Sequence, residues 1–268
     1  MHAPDDVSAT QADSRSIDLN SDMGEGFGSY PGGPDDELLP LISSANVACG
    51  FHAGDPRVME RTITRARSHG VAIGAHPGFA DLVGFGRRTI AASPDEIRTD
   101  VLYQLGAMDA LCRSQGVELR HIKAHGALYN LAVKDESAAE AIAKAVRQFD
   151  AGLLFFALPG SALAAAAESA GLRVIHEAFA DRAYHIDGSL VSRSHPGAVL
   201  HDPDAIARRA VRIAREGLVE TIEGETLAIA PHTICLHSDT ANALTMARAI
   251  RQRFAAEAIE VRPAGTSR

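Results

Sequence analysis

The chain has 268 residues, 46% of them hydrophobic, and a formal net charge of −8. That is enough apolar material for one large domain, while the acidic balance argues against a nucleic-acid partner, whose phosphates are met by basic patches. No apolar run approaches the roughly 20 residues a membrane-spanning helix needs.

The opening stretch MHAPDDVSATQADS is polar and acidic where a secretory signal would be basic and then apolar. Residues 1–14 read as a disordered tail, and 15–268 as a single domain. Short apolar runs then alternate with longer helical patterns. The strand candidates are 16–20 (SIDLN), 45–50 (ANVACG), 71–75 (VAIGA), 120–125 (RHIKAH), 152–157 (GLLFFA), 172–177 (LRVIHE) and 232–237 (HTICLH), with a weaker eighth at 258–263 (AIEVRP). Helix starts are legible between them. Asp55-Pro56, Ser93-Pro94 and Asp202-Pro203 each set a capping side chain before a proline at the first helical position, and Glu96 completes a capping box with Ser93. Gly70, Gly116 and Gly217 fall where helix ends call for a left-handed residue. Repeated βα units predict a parallel sheet under helical cover.

The strand faces decide between an open sheet and a barrel. An open parallel sheet is buried on both faces and reads as continuous apolar runs. Here Ile17 and Leu19 oppose Asp18 and Asn20; Val47 and Cys49 oppose Asn46, Ala48 and Gly50; Ile234 and Leu236 oppose Thr233, Cys235 and His237. In HIKAHG, Ile122 and Ala124 oppose His121, Lys123 and His125. One apolar face and one small or polar face suit a barrel, with the polar face inside; only LLFFA is apolar on both.

Barrel sites are built at the C-terminal ends of strands. Those positions carry Asn20, Asp22 and Glu25; His52 and Asp55; His76, Asp81, Arg87 and Arg88; His125, Tyr129 and Asn130; Glu177, Asp181, Arg182 and Tyr184; His237, Ser238 and Asp239. Asp55 and Asp239 also suit helix caps. Lys123, inside a barrel, needs a carboxylate among Asp18, Asp22 and Glu177. Asp22, His52 and His76 could ligate Zn²⁺ or Mn²⁺, but no HxxxH or HExxH spacing fixes such a site, and no tightly held transition metal is expected. The same groups could instead serve as general acids and bases. No GxSxG elbow or phosphate-binding GxxxxGK[ST] loop is present. Three scattered cysteines, Cys49, Cys112 and Cys235, offer no zinc or disulfide framework and suit a reducing cytoplasm.

The stretches IDLNSDMGEGFG, SSANVACGFHAGDP, GVAIGAHPGF with GFGRR, HIKAHGALYN, EAFADRAYHIDGSLVSRS and ICLHSDT follow one another from about residue 16 to 240. In that order the chain resembles the LamB/YcsF family, described as the A component of bacterial ATP-dependent 5-oxoprolinase. The resemblance implies an irregular (β/α) barrel of about seven parallel strands, related to glycoside hydrolase and sugar-deacetylase barrels. It also implies cleavage of 5-oxoproline to glutamate with ATP hydrolysis, Mg²⁺ accompanying the nucleotide, and dependence on partner subunits B and C. Neither a nucleic acid nor a membrane is expected as partner, and a homo-oligomer stays open. From position alone, Asp22, His52, Lys123, His125 and Glu177 are the catalytic candidates. Asn20, Asn46, His76, Arg87, Tyr129, Arg182 and His237 are the substrate-binding ones. Lys123 is expected to keep its charge for an incoming anion. A metal-dependent deacetylase, a lactam or carbamoyl utilisation protein and a non-catalytic substrate-binding subunit remain as alternatives.

Overall fold

The computed structural model describes residues 16–30, 32–239 and 242–266, so the N-terminal tail lies outside the described residues. Among the described residues ten strands follow in chain order: β1 (Ser16–Met23), β2 (Ser44–Ala48), β3 (Ala72–His76), β4 (Leu119–Ile122), β5 (Leu154–Ala157), β6 (Arg173–Phe179), β7 (Leu218–Glu220), β8 (Thr226–Ala228), β9 (Thr233–Cys235) and β10 (Glu260–Val261). β1 through β6 pair side by side in parallel, β6 pairs with β9, and β9 returns to β1, closing a barrel of seven parallel strands. The weak eighth candidate is β10, which pairs with Ser16 and Ile17 just below the closed ring. β7 and β8 form a separate antiparallel ribbon across the turn that contains Gly224, an element the sequence reading passed over.

Eight α-helices of the described residues run between the strands: α1 (Asp35–Leu38), α2 (Pro56–Ser68), α3 (Pro94–Ser114), α4 (Gly126–Ala132), α5 (Glu136–Phe149), α6 (Ala162–Ser169), α7 (Pro203–Glu216) and α8 (Ala243–Ala256). The caps are those the sequence announced. Asp55, Ser93 and Asp202 accept from the first-turn amides of α2, α3 and α7, and Ser93 and Glu96 form the reciprocal box. Gly70, Gly116 and Gly217 all have φ near +67°. Among the described residues Asp239 pairs with Arg87, and Asn242 stands at the N-terminal cap of α8. None of the described helices is long and apolar enough to cross a membrane.

Leu19, Val47, Ile73, Ile122, Phe155 and Ile234 all face outward into the core shared with the helices. The inner face has its own filling. Leu154, Phe156 and Ile175 make a small apolar cluster within the ring, and His121 stacks on Phe156 with ring centroids 4.3 Å apart. Gly74 makes room for that stack, since a Cβ there would meet the His121 ring. Below it, Asp18 accepts from Ser43 (2.6 Å), Ser44 (2.7 Å) and Thr233 (2.5 Å). Burial pushes the Asp18 carboxyl up to about 6 despite these three donors.

Two tests follow from this inner face. Gly74→Ala should destabilise the fold by about 1–3 kcal/mol through overpacking against His121, read by denaturant unfolding; a neutral effect would mean the ring does not lie across β3. For Asp18 the folded pKa lies above the unfolded value, so its stabilising contribution is complete below the unfolded pKa and lost as pH rises through about 6. Wild-type stability relative to Asp18→Asn should therefore fall by about 1 kcal/mol between pH 5 and 7. A flat or rising difference would show that the carboxyl is not perturbed.

Candidate active site

At the C-terminal end of the barrel a cavity of about 580 Å³ opens, with Asp22, Glu25, Lys123, Tyr129, Arg182 and His237 among its lining residues. β1 and β6 run further than their sequence patterns suggested, so Asp22 stands on a strand rather than in the following loop, and Glu177 lies inside β6 rather than at its last residue. After β4 the chain stays extended through His125. Lys123 N donates to Ala75 O at 3.0 Å and His125 N to Pro77 O at 2.8 Å, which keeps both side chains on the inner face.

Lys123 occupies the centre. Its ammonium lies 2.9 Å from Glu177 Oε1, 3.1 Å from Asp22 Oδ1, 3.3 Å from Asn20 Oδ1 and 3.0 Å from Cys235 Sγ. Three N–H groups thus face four acceptors, and none is left over. Burial alone would lower the lysine, but Asp22, Cys235 and Glu177 outweigh it and hold it charged, well above its usual value. Burial would likewise raise Asp22, but His76 and Lys123 hold it well below the carboxylate range. Asn20 and Asn46 brace this pair from beneath. Asn20 Nδ2 donates to Glu177 Oε1 and Thr233 Oγ1, Asn46 Nδ2 donates to Asn20 Oδ1 and Asp22 Oδ1, and His121 Nε2 donates to Asn46 Oδ1. Burial keeps His121 neutral, with its pKa lowered to about 3.

The two sides of the cavity differ. Toward β6 and β9, His237 Nδ1 lies 3.0 Å from both oxygens of Asp181, and its ring stacks on Phe179. An ionised carboxylate only accepts, so Nδ1 carries the hydrogen and Nε2 is the nitrogen open to a proton. Toward β2, β3 and β4, His52, His76 and His125 crowd together with Glu25. Burial holds His52 and His125 well below their usual values, and burial followed by Asp22 and Asp239 pushes Glu25 well above its own. At the rim Arg87 pairs with Asp239, and Arg88 pairs with Asp81 away from the cavity. Arg182 donates to Val191 O (2.6 Å) and Ala198 O (3.4 Å), fastening the loop that walls the cavity.

A model of the LamB/YcsF family matches residues 17–268. The chain belongs to the LamB/YcsF family. Among curated relatives, the 5-oxoprolinase A component of Symbiobacterium thermophilum is 54% identical over 247 residues, covering 92% of this chain and 95% of its own. The protein of the same name from Thermococcus onnurineus is 50% identical over 249 residues, with coverages of 93% and 98%. The solved lactam utilization protein from Thermus thermophilus superposes with a TM-score of 0.89 at 49% identity, over 92% of this chain and 99% of that one.

In this LamB/YcsF barrel, Asp22, His76, Arg87, Lys123, His125, Tyr129, Arg182 and His237 all reach the cavity lining. Asn20, Asn46, His52 and Glu177 do not; they are fully buried around it, in contact with Lys123, Asp22 and His125. The three metal candidates divide: His52 and His76 meet in one group with Glu25 and His125, while Asp22 belongs to a second group with Cys235 and His237. In that second group the Lys123 ammonium already touches both Asp22 and Cys235, where a cation would sit. Glu25, Asp181 and Asp239 were visible at strand ends, but their pairings came only with the fold.

The expectation that Lys123 keeps its charge for an incoming anion is revised, because Asp22 and Glu177 already match it. Lys123→Met leaves two buried carboxylates without their cation and should destabilise the chain by about 3–5 kcal/mol. Chemical denaturation at neutral pH measures this; stability equal to wild type would show that the carboxylates are not ion-paired in the fold.

Proposed function

We propose that this chain is the A component of an ATP-dependent 5-oxoprolinase, cleaving 5-oxo-L-proline to L-glutamate together with partner subunits B and C. The observation that carries the reading is the His237–Asp181 pair beside the buried Lys123–Asp22–Glu177 network at one polar cavity. It occurs in a chain about half identical, nearly end to end, to proteins named as that component of 5-oxoprolinase. ATP, with Mg²⁺ as its counter-ion, and the identity of subunits B and C come from the family resemblance.

The chemistry asks for what this cavity offers. A five-membered lactam is a resonance-stabilised amide that water opens slowly. Transfer of a phosphoryl group from ATP to the lactam oxygen releases ADP and makes the ring carbon electrophilic. Water then adds to that carbon and gives up a proton, the ring C–N bond breaks, and the nitrogen takes a proton. The γ-acyl phosphate that remains is hydrolysed by a second water to glutamate and phosphate. His237, held by Asp181, accepts the proton of the attacking water and returns one to the leaving nitrogen. The fixed ammonium of Lys123 lends its field to the negative charge that grows on the water-derived oxygen as it gives up its proton, and to the charge of the phosphoryl group, with no need to surrender a hydrogen bond. Arg87 and Arg182 supply positive charge on the wall for the substrate carboxylate.

His237→Ala should lower glutamate release by the reconstituted three-subunit enzyme about 10²–10⁴-fold, with thermal unfolding close to wild type. Asp181→Asn should act in the same direction. Normal turnover in both variants would remove the pair from the reaction. Binding of 5-oxoproline with turnover unaffected by any cavity substitution would instead favour a protein that only delivers substrate.

A further inference from the structure

The four residues Glu25, His52, His76 and His125 come from four successive strand ends, and each is buried. Their polar atoms are poorly matched to one another. His76 Nδ1 lies 2.7 Å from Lys123 O, and His125 Nε2 lies 2.8 Å from Phe85 O. A carbonyl oxygen only accepts, so each of these nitrogens carries the ring hydrogen, and in the neutral rings His76 Nε2 and His125 Nδ1 carry lone pairs. Those two lone-pair nitrogens face each other at 3.0 Å. Beside them, Glu25 Oε1 and both nitrogens of His52 are buried and have no hydrogen-bond partner among the described residues. Buried polar atoms left in that state are rare, and each is costly.

We propose that a first-row divalent transition ion of the zinc type binds here, although sequence spacing alone gave no reason to expect one. His76 Nε2, His125 Nδ1 and Glu25 Oε1 are its ligands, and His52 joins as a fourth by a turn of its ring, which now lies flat on His125 with centroids 3.7 Å apart. One ion would take up Glu25 Oε1, the facing lone pairs of His76 and His125, and one of the two His52 nitrogens together. Ligands at about 2.0–2.2 Å in a tetrahedron stand roughly 3.3–3.5 Å from one another. The spacings present are 3.0 Å between His76 and His125, 3.6 Å between His125 and Glu25, and 3.5 Å between His52 and Glu25. The carbonyls of Lys123 and Phe85 hold the rings in the tautomers a metal needs, the outer-shell arrangement usual for ligating histidines. Three imidazoles and one carboxylate suit zinc and its neighbours, not Mg²⁺. A proton on His76 Nε2, shared with His125 Nδ1 and with Asp22 Oδ2 3.3 Å away, is what stands at this contact without an ion; it would leave Glu25 Oε1 and both His52 nitrogens unpartnered. Gly86 belongs to the same construction, since a Cβ there would meet His52 Cβ at 2.6 Å and His125 Cδ2 at 2.8 Å. The site does not depend on the lactam being the substrate.

The test uses the untagged full chain, freed of metal by a chelator and titrated with Zn²⁺ and with Co²⁺. Elemental analysis should give about one Zn²⁺ per chain, and Co²⁺ should develop the visible absorption of a low-symmetry four-coordinate ion. Both signals should be lost in Glu25→Gln and His125→Asn, with circular dichroism showing the folded barrel retained. Zn²⁺ should also raise the melting temperature of the wild type and not of the variants. Absence of stoichiometric binding, or equal binding by wild type and both variants, would overturn the proposal. None of these readouts uses catalytic activity, so a failed metal titration leaves the 5-oxoprolinase reading intact, and a failed glutamate assay leaves the metal site intact.

Discussion

One buried ammonium sets the terms for the inside of this barrel. Removing a lysine charge from water costs several kcal/mol unless its partners are close and well aimed, and Lys123 finds four of them within 3.3 Å. The inner face holds three carboxylates near one another, Asp18, Asp22 and Glu177, against that one cation. The imbalance falls on the member that does not touch the lysine. Asp18 rests on three hydroxyls and has its pKa raised to about 6, with Glu177 adding to the effect of burial, whereas Asp22 beside the ammonium stays ionised. The amides of Asn20 and Asn46 serve the same end. Each uses both of its N–H groups inside the network, so acceptors on neighbouring strands are fixed relative to Lys123 without adding charge.

Much of this could be read from alternation along the strands. A residue at i and one at i+2 point to the same side, so DLN, NVA, HIK and TICLH each declared which side chains would turn inward. Capping chemistry placed the helix starts because it is local, needing only a hydroxyl or carboxylate before the first turn. The short ribbon of Leu218–Glu220 with Thr226–Ala228 escaped because three-residue strands are too brief for a period to show. Pairings across the barrel escaped for a different reason. Glu25 comes beside His52 only through the pairing of β1 with β2, and His237 beside Asp181 only through that of β6 with β9, and no spacing rule gives such contacts. The reason for Gly74 is of the same kind, since the ring of His121 lies far along the chain and becomes its neighbour only through the pairing of β3 with β4.

Asp22 joins the two centres that this closure creates. One of its oxygens lies 3.1 Å from the Lys123 ammonium, and the other lies 3.3 Å from His76 Nε2. The carboxylate therefore feels both the lysine network and the histidine cluster. An ion on His76 would draw charge from Asp22 Oδ2 and weaken its claim on Lys123. That would leave the ammonium more of its field for the cavity, which His237 also lines. β5 takes no part in either centre, because Leu154 and Phe156 only fill the ring beneath. Glu177 and Cys235 tie the lysine network to the strands carrying the His237–Asp181 pair, and Asp22 ties the same network to the histidine cluster, so a substrate in the cavity would meet the combined field of both.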